Sequence, residues 1–229
     1  MPCRGTRSAS PRSMPAPQPM NSTEAMPGQV AQLVREHVVE QVDDAIHGVT
    51  FDGRRLVLAA GYRLFRLIPD SCRLVDELET FPARGGLAYD GRHLWQHSEG
   101  HIEQLDPRTG LVVKAIAPEL EDLTGLECVG PDLLLLHAGG RRLARVETLD
   151  AKPVADVEVG PRLRGLGWVG GLLWSAAPDQ LCRLDPVTGR IVARFALPPQ
   201  VEVSDLAGDA EGHVWCVDGG SRLVRAFVR

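Results

Sequence analysis

The chain has 229 residues, 44% of them apolar, with a net charge of −5 and a pI near 5.8. That length supports one large domain with a real core, while the acid balance excludes a domain-wide basic footprint, so no nucleic-acid partner is expected. No run of eighteen apolar residues exists, so no membrane span is expected, and five cysteines without C-x-x-C spacing argue against a disulfide framework and for a reducing, cytoplasmic setting.

Residues 1–28 are rich in Pro, Ser, Met and Gly and poor in large apolar side chains, which predicts a disordered tail. Arg4, Arg7 and Arg12 are followed by no apolar stretch, so no secretory leader is expected. Val30, Leu33 and Val34 share one helical face and predict a short helical linker over 29–37. From residue 38 to residue 229 the chain repeats.

The repeat opens at Gly48-Val-Thr-Phe-Asp-Gly, Gly86-Leu-Ala-Tyr-Asp-Gly, Gly125-Leu-Glu-Cys-Val-Gly and Gly165-Leu-Gly-Trp-Val-Gly, with a weaker fifth copy at Asp205-Leu-Ala-Gly-Asp. Each copy continues with a second apolar strand (Leu56-Val-Leu, Leu94-Trp, Leu133-Leu-Leu, Leu173-Trp, Val214-Trp) and an alternating third strand. Turns such as Asp106-Pro-Arg-Thr-Gly and Asp185-Pro-Val-Thr-Gly then lead into a fourth strand. Four short strands per copy at a period near forty predict an all-β, five-bladed β-propeller. The fifth copy ends after its third strand, and Val38-Val-Glu-Gln-Val supplies the missing one, closing the ring without an open edge.

Gly86-Leu-Ala-Tyr-Asp-Gly-Arg-His-Leu-Trp and Leu206-Ala-Gly-Asp-Ala-Glu-Gly-His-Val-Trp resemble the repeats of streptogramin lyase-like and NHL-like propellers. Blade count and Gly125-Leu-Glu-Cys-Val-Gly are similar to the five-bladed plant-type glutaminyl cyclotransferases. These resemblances imply the architecture, and a lyase or cyclotransferase type of chemistry. They also carry two negative tests. Gluconolactonase-type propellers use a Glu/Asn/Asp metal set, and the only asparagine here is Asn21. Streptogramin lyases use a Glu-x-His pair with a further His. Glu99-Gly-His101 and Glu211-Gly-His213 have that spacing, but the repeat sets them on opposite faces.

In a propeller the loops entering strand one and leaving strand two share the face where ligands bind. The repeat places His47, Gly85, Thr124, Arg164 and Ser204 in the first set, and Ser98, His137 and Asp218 in the second. Within strand one, Thr50, Ala88, Gly167 and Ala207 are small, and Glu127 departs from them. The expectation is a small-molecule site at the channel mouth of a monomer. In it Glu127 and His137 act as acid/base groups, and His47, Glu127 and His137 can hold a divalent metal ion. Arg164, Ser204 and Asp218 would bind substrate. The alternative is a non-catalytic ligand- or protein-binding scaffold, with His47 capping a loop, Glu127 paired to Arg164 and His137 solvated. The recurring Trp95, Trp168, Trp174 and Trp215 are expected in the core, and Cys128 and Cys216 as inert thiols.

Overall fold

A computed structural model describes residues 29–218 and 220–228; the predicted N-terminal tail lies outside them. Among the described residues every regular element is a strand, and no helix is long and apolar enough to cross a membrane. Two strands precede the ring: β1 (Gln29–Val30) and β2 (Gln32–Val38). Blade 1 holds β3 (Ile46–Phe51), β4 (Leu56–Ala60), β5 (Arg63–Ile68) and β6 (Arg73–Glu79). Blade 2 holds β7 (Leu87–Tyr89), β8 (Leu94–Ser98), β9 (His101–Leu105) and β10 (Val112–Ile116). Blade 3 holds β11 (Gly125–Val129), β12 (Asp132–His137), β13 (Arg142–Glu147) and β14 (Pro153–Glu158). Blade 4 holds β15 (Arg164–Val169), β16 (Leu172–Ala177), β17 (Gln180–Leu184) and β18 (Ile191–Ala196). Blade 5 holds β19 (Asp205–Gly208), β20 (Val214–Val217) and β21 (Leu223–Val228), with β2 as its fourth strand.

Burial within a blade follows the sequence. The second strand of blade 1, Leu56-Val-Leu-Ala-Ala, is buried on both faces, as its unbroken apolar run requires. The fourth, Arg73 to Glu79, alternates exposed and half-buried residues, matching its period-two pattern. The core is five separate apolar clusters, one between each pair of neighbouring blades. Trp215 and Val217 of blade 5 pack with Leu58 of blade 1, for instance, and Trp95 of blade 2 packs with Leu133 and Leu135 of blade 3. Five interfaces for five blades means that the ring closes with no seam left apolar to water.

The closing strand comes from the N-terminus, but from a different stretch than the repeat suggests. Residues 29–37 are extended rather than helical, and β2 runs antiparallel to β21 with Leu33 opposite Phe227 and His37 opposite Val224. An isolated segment this short gains little as a helix, whereas the open edge of β21 offers a full row of unpaired backbone groups. Glu36 fastens it by accepting a 2.6 Å bond from Arg225 Nε. Val38–Val42 is not the closing strand: β2 ends at Val38, and Val39 and Val42 turn into the cluster between blades 5 and 1. Upstream, Ala31 is buried between blades 4 and 5, and β1 pairs in parallel with β18. The entering chain therefore clasps two blades.

Candidate ligand site at the channel mouth

The five inner strands converge on the central axis, and one aligned column at or near their starts decides what the channel can hold. Four of its five members are glycines: Gly48, Gly86, Gly125 and Gly165. A Cβ on Gly48 would lie 2.8 Å from Leu87 Cβ, one on Gly86 2.8 Å from Leu126 N, and one on Gly125 2.9 Å from the Gly165 carbonyl carbon. Such distances leave no space for a side chain. The fifth position is Asp205, wholly buried. Its Oδ2 accepts bonds from Val49 N of blade 1 (2.9 Å) and Leu87 N of blade 2 (3.2 Å). Its Oδ1 lies 2.9 Å from where a Gly165 Cβ would sit and has no partner. Inner strands expose one row of backbone N–H groups to the axis with no strand to receive them; Asp205 receives two. Burial, with the Glu127 charge adding to it, holds its carboxyl well above the usual carboxylate range.

Glu127 serves the next gap. Its Oε1 accepts from Cys128 N (2.7 Å) and its Oε2 from Trp168 N of blade 4 (3.1 Å), while Trp168 Nε1 donates to Cys128 O (2.8 Å). Burial pushes its carboxyl up to about 8, against the lowering pull of those N–H donors. The alternative pairing with Arg164 does not form: among the described residues Glu127 makes no ion pair.

The metal set His47, Glu127 and His137 does not come together. Glu127 stands opposite Leu134, and His137 follows three residues later, so strand alternation turns the two side chains to opposite faces of blade 3. Leu134 faces blade 4, where it packs with Leu166, and Leu135 faces blade 2, where it packs with Trp95. His137 shares the Leu135 face and is buried rather than solvated, with its Nε2 2.9 Å from Asp156 Oδ1. That carboxylate also accepts from Arg142 Nε at 3.0 Å. The histidine and the arginine together, against burial, draw Asp156 below the usual carboxylate range. His137 is therefore tied to the outer strand of its own blade and turned away from the axis.

Among the described residues, the group that brings three metal-capable side chains together is Asp209, Glu211 and His213, whose ligand atoms lie within 4.8 Å of one another. It sits in the turn between β19 and β20, on the face opposite the mouth. Asp209 is occupied there already. Oδ1 accepts from the N–H groups of Glu211 and His213, and Oδ2 meets Trp215 Nε1 and His213 Nδ1. Asp90 repeats the arrangement in blade 2 with His93 N and Trp95 Nε1. The shared Asp–His–Trp pattern is a turn that locks each hairpin. Glu99 and His101 lie in the β8–β9 hairpin at the other end, as the repeat requires.

At the mouth, backbone bonds join neighbouring blades where the chain enters strand one. Gly86 N donates to His47 O (3.4 Å) and Gly165 N to Thr124 O (2.8 Å), so consecutive members sit side by side around the axis. His47 is half-buried, Thr124 Oγ1 donates to Leu163 O (3.1 Å), and Ser204 Oγ donates to Val217 O (3.0 Å). Both residues are half-buried, and each hydroxyl oxygen keeps acceptor capacity. Arg164 is exposed and, among the described residues, has no acidic partner, nor has Arg162 two residues before it. Asp218 stands apart from them in role. It accepts from Gly220 N (2.9 Å) and Ser221 Oγ (3.1 Å) and so shapes its own turn.

The four cysteines among the described residues are buried or half-buried, and burial raises their thiols, Cys72 and Cys182 to about 11 and Cys128 and Cys216 further. They are inert at neutral pH. Trp95, Trp174 and Trp215 are core residues; Trp168 is half-buried and ties blade 4 to blade 3. Asp205 was hidden in the sequence, although its signal was there: it is the one non-glycine in the column Gly48, Gly86, Gly125, Gly165.

No protein-family model matches the chain, and no curated protein matches it. Among solved structures, the glutaminyl cyclase of Myxococcus xanthus superposes with a TM-score of 0.71 at 18% identity, over 88% of this chain and 98% of that one. The WD40 β-propeller domain of Doa1 superposes with a TM-score of 0.52 at 10% identity, over 80% of this chain and 79% of that one. At these identities the likeness establishes the β-propeller fold.

Proposed function

We propose that the chain is a ligand-binding propeller that takes a small anionic molecule at the channel mouth. The observation that carries this reading is Arg164, an exposed guanidinium on a ring of otherwise small or neutral residues, with no acidic partner among the described residues. A carboxylate meets such a fork in two parallel bonds, and Arg162, two residues earlier and set against Gly139 of blade 3, likewise has no acidic partner among the described residues. Thr124, Ser204 and His47 supply hydrogen bonds to the rest of the molecule. The two acids nearest the axis already receive backbone N–H groups, which leaves the mouth itself to bind rather than to transfer protons.

The reading is tested by ligand-induced thermal shifts with a panel of small carboxylates, glutaminyl dipeptides included. A stabilising ligand that loses its effect in Arg164→Ala supports it. No shift from any carboxylate, or equal shifts in wild type and variant, refutes it.

A second reading, a cyclotransferase- or lyase-type enzyme at the same mouth, is favoured by the likeness to glutaminyl cyclase across nearly that whole chain. In it the α-amine of an N-terminal glutamine attacks the side-chain amide carbon and ammonia leaves. Glu127, whose carboxyl burial raises to about 8, is its candidate acid. Ammonia release from glutaminyl peptides, abolished by Glu127→Gln, would select this reading over simple binding.

A further inference from the structure

The face opposite the mouth carries a cleft of about 390 Å³ in blade 1, in the size range of small-molecule sites. It opens between the β3–β4 turn and the β5–β6 turn. Arg54, Arg55 and Arg73 line it together with Ile68, Leu74 and Val75, and no carboxylate does. In a chain of net charge −5, three guanidinium groups around one cavity form a marked local reversal of sign.

The nearby acids are accounted for. Asp52 Oδ1 accepts the backbone N–H groups of Arg54 (2.9 Å) and Arg55 (2.7 Å), which fixes the turn that carries both side chains. Asp70 pairs with Arg35 of β2 at 3.0 Å. Asp76 is shared between Arg66 at 3.2 Å and Arg55 at 3.7 Å, so Arg55 is only partly neutralised. Arg54 and Arg73 have no acidic partner among the described residues. Arg66, on the same face of β5 as Ile68, is held by Asp76, and its Nη2 and the Asp76 Oδ1 are both buried without a hydrogen-bond partner. The charges that line the cleft without an acidic partner, Arg54 and Arg73, call for an anion from outside.

We infer that this cleft is a binding site for a phosphate monoester carried on a small apolar body. Two unpaired guanidiniums and a third half-neutralised one exceed what a monoanionic carboxylate balances, and a phosphate dianion offers three oxygens to their forks. Ile68, Leu74 and Val75 give the apolar body a wall. The site is independent of the mouth, since none of its residues belongs to the ring around Arg164.

Titration calorimetry with hexyl phosphate, inorganic phosphate and hexanoate tests the inference on the full chain, comparing wild type with Arg54→Ala/Arg73→Ala and with Arg164→Ala. Arg54 and Arg73 are exposed, and an unchanged circular dichroism spectrum confirms folding of the variants. The expected result is hexyl phosphate binding tightest, weakened at least about 10-fold in the double variant, corresponding to loss of one or more charge-assisted bonds. Arg164→Ala should leave it unchanged. Absence of hexyl phosphate binding at about 1 mM, equal affinity in the double variant, or hexanoate binding as tightly overturns the inference. Inorganic phosphate matching hexyl phosphate overturns the apolar body.

Discussion

At the fifth position of the glycine column, one carboxylate replaces a hydrogen atom and changes what the axis is. Four glycines let the inner strands approach within van der Waals contact, and Asp205 receives N–H groups from blades 1 and 2. Asp205→Ala leaves those buried donors unsatisfied, so a loss of about 2–5 kcal/mol in urea unfolding is expected. Gly165→Ala tests the same geometry from the other side. Its Cβ would sit 2.7 Å from Asp205 Cα on a backbone with φ of +63°, so a loss of about 1–3 kcal/mol is expected in the same experiment. Either variant with wild-type stability would show that the axis is looser than described. The sequence held both signals, the glycines as a column and Asp205 as its exception. Glu127 stood out for the right reason, as a large polar residue among small ones, but alignment alone does not show which way a side chain turns. Counting three residues along β12 from its partner Leu134 is what separates Glu127 from His137, and that needs the strand pairing.

At the scale of elements, the repeat made the five blades legible because turns and apolar runs are local patterns. The closing strand was legible only as a need. Blade 5 lacked a fourth strand, but the segment that fills it, Gln32 to Val38, has mixed periodicity and no turn residues to mark its ends. Pairing with β21 decides its conformation, and that partner is some 190 residues away in sequence, as the Arg225–Glu36 bond records (|i−j| of 189). A chain starting at Val39 should therefore expose the β21 edge and the cluster holding Phe227. The expected outcome is concentration-dependent association in analytical ultracentrifugation, with a lowered melting temperature. A monomeric, equally stable product would mean that β2 contributes little. The hairpin turns make a further prediction. Asp209→Asn keeps the acceptor of the Glu211 and His213 N–H groups but places an amide against Trp215 Nε1, and should cost about 1–2 kcal/mol.

For the whole molecule, the titrating groups fix the shape of stability against pH. Glu127, raised to about 8, and Asp205, raised well above its usual value, contribute stability that is full below their ordinary pKa values, 4.5 and 3.8. It is lost as pH rises through their folded values. Asp90, Asp156, Asp185 and Asp209 are lowered in the folded chain, so theirs is present above 3.8 and lost as pH falls through the depressed values. The two together predict a maximum on the acid side of neutral. Glu127→Gln should flatten the decline between pH 5 and 9 in urea midpoints, leaving the share that belongs to Asp205. The central claim is this division between acids that hold the blades and a mouth that binds. Calorimetric titration of wild type, Arg164→Ala and Glu127→Gln with a carboxylate ligand found by thermal shift tests it directly. The account predicts that Arg164→Ala weakens binding at least about 10-fold while Glu127→Gln retains wild-type affinity. Loss of binding in Glu127→Gln with Arg164→Ala unaffected would contradict it.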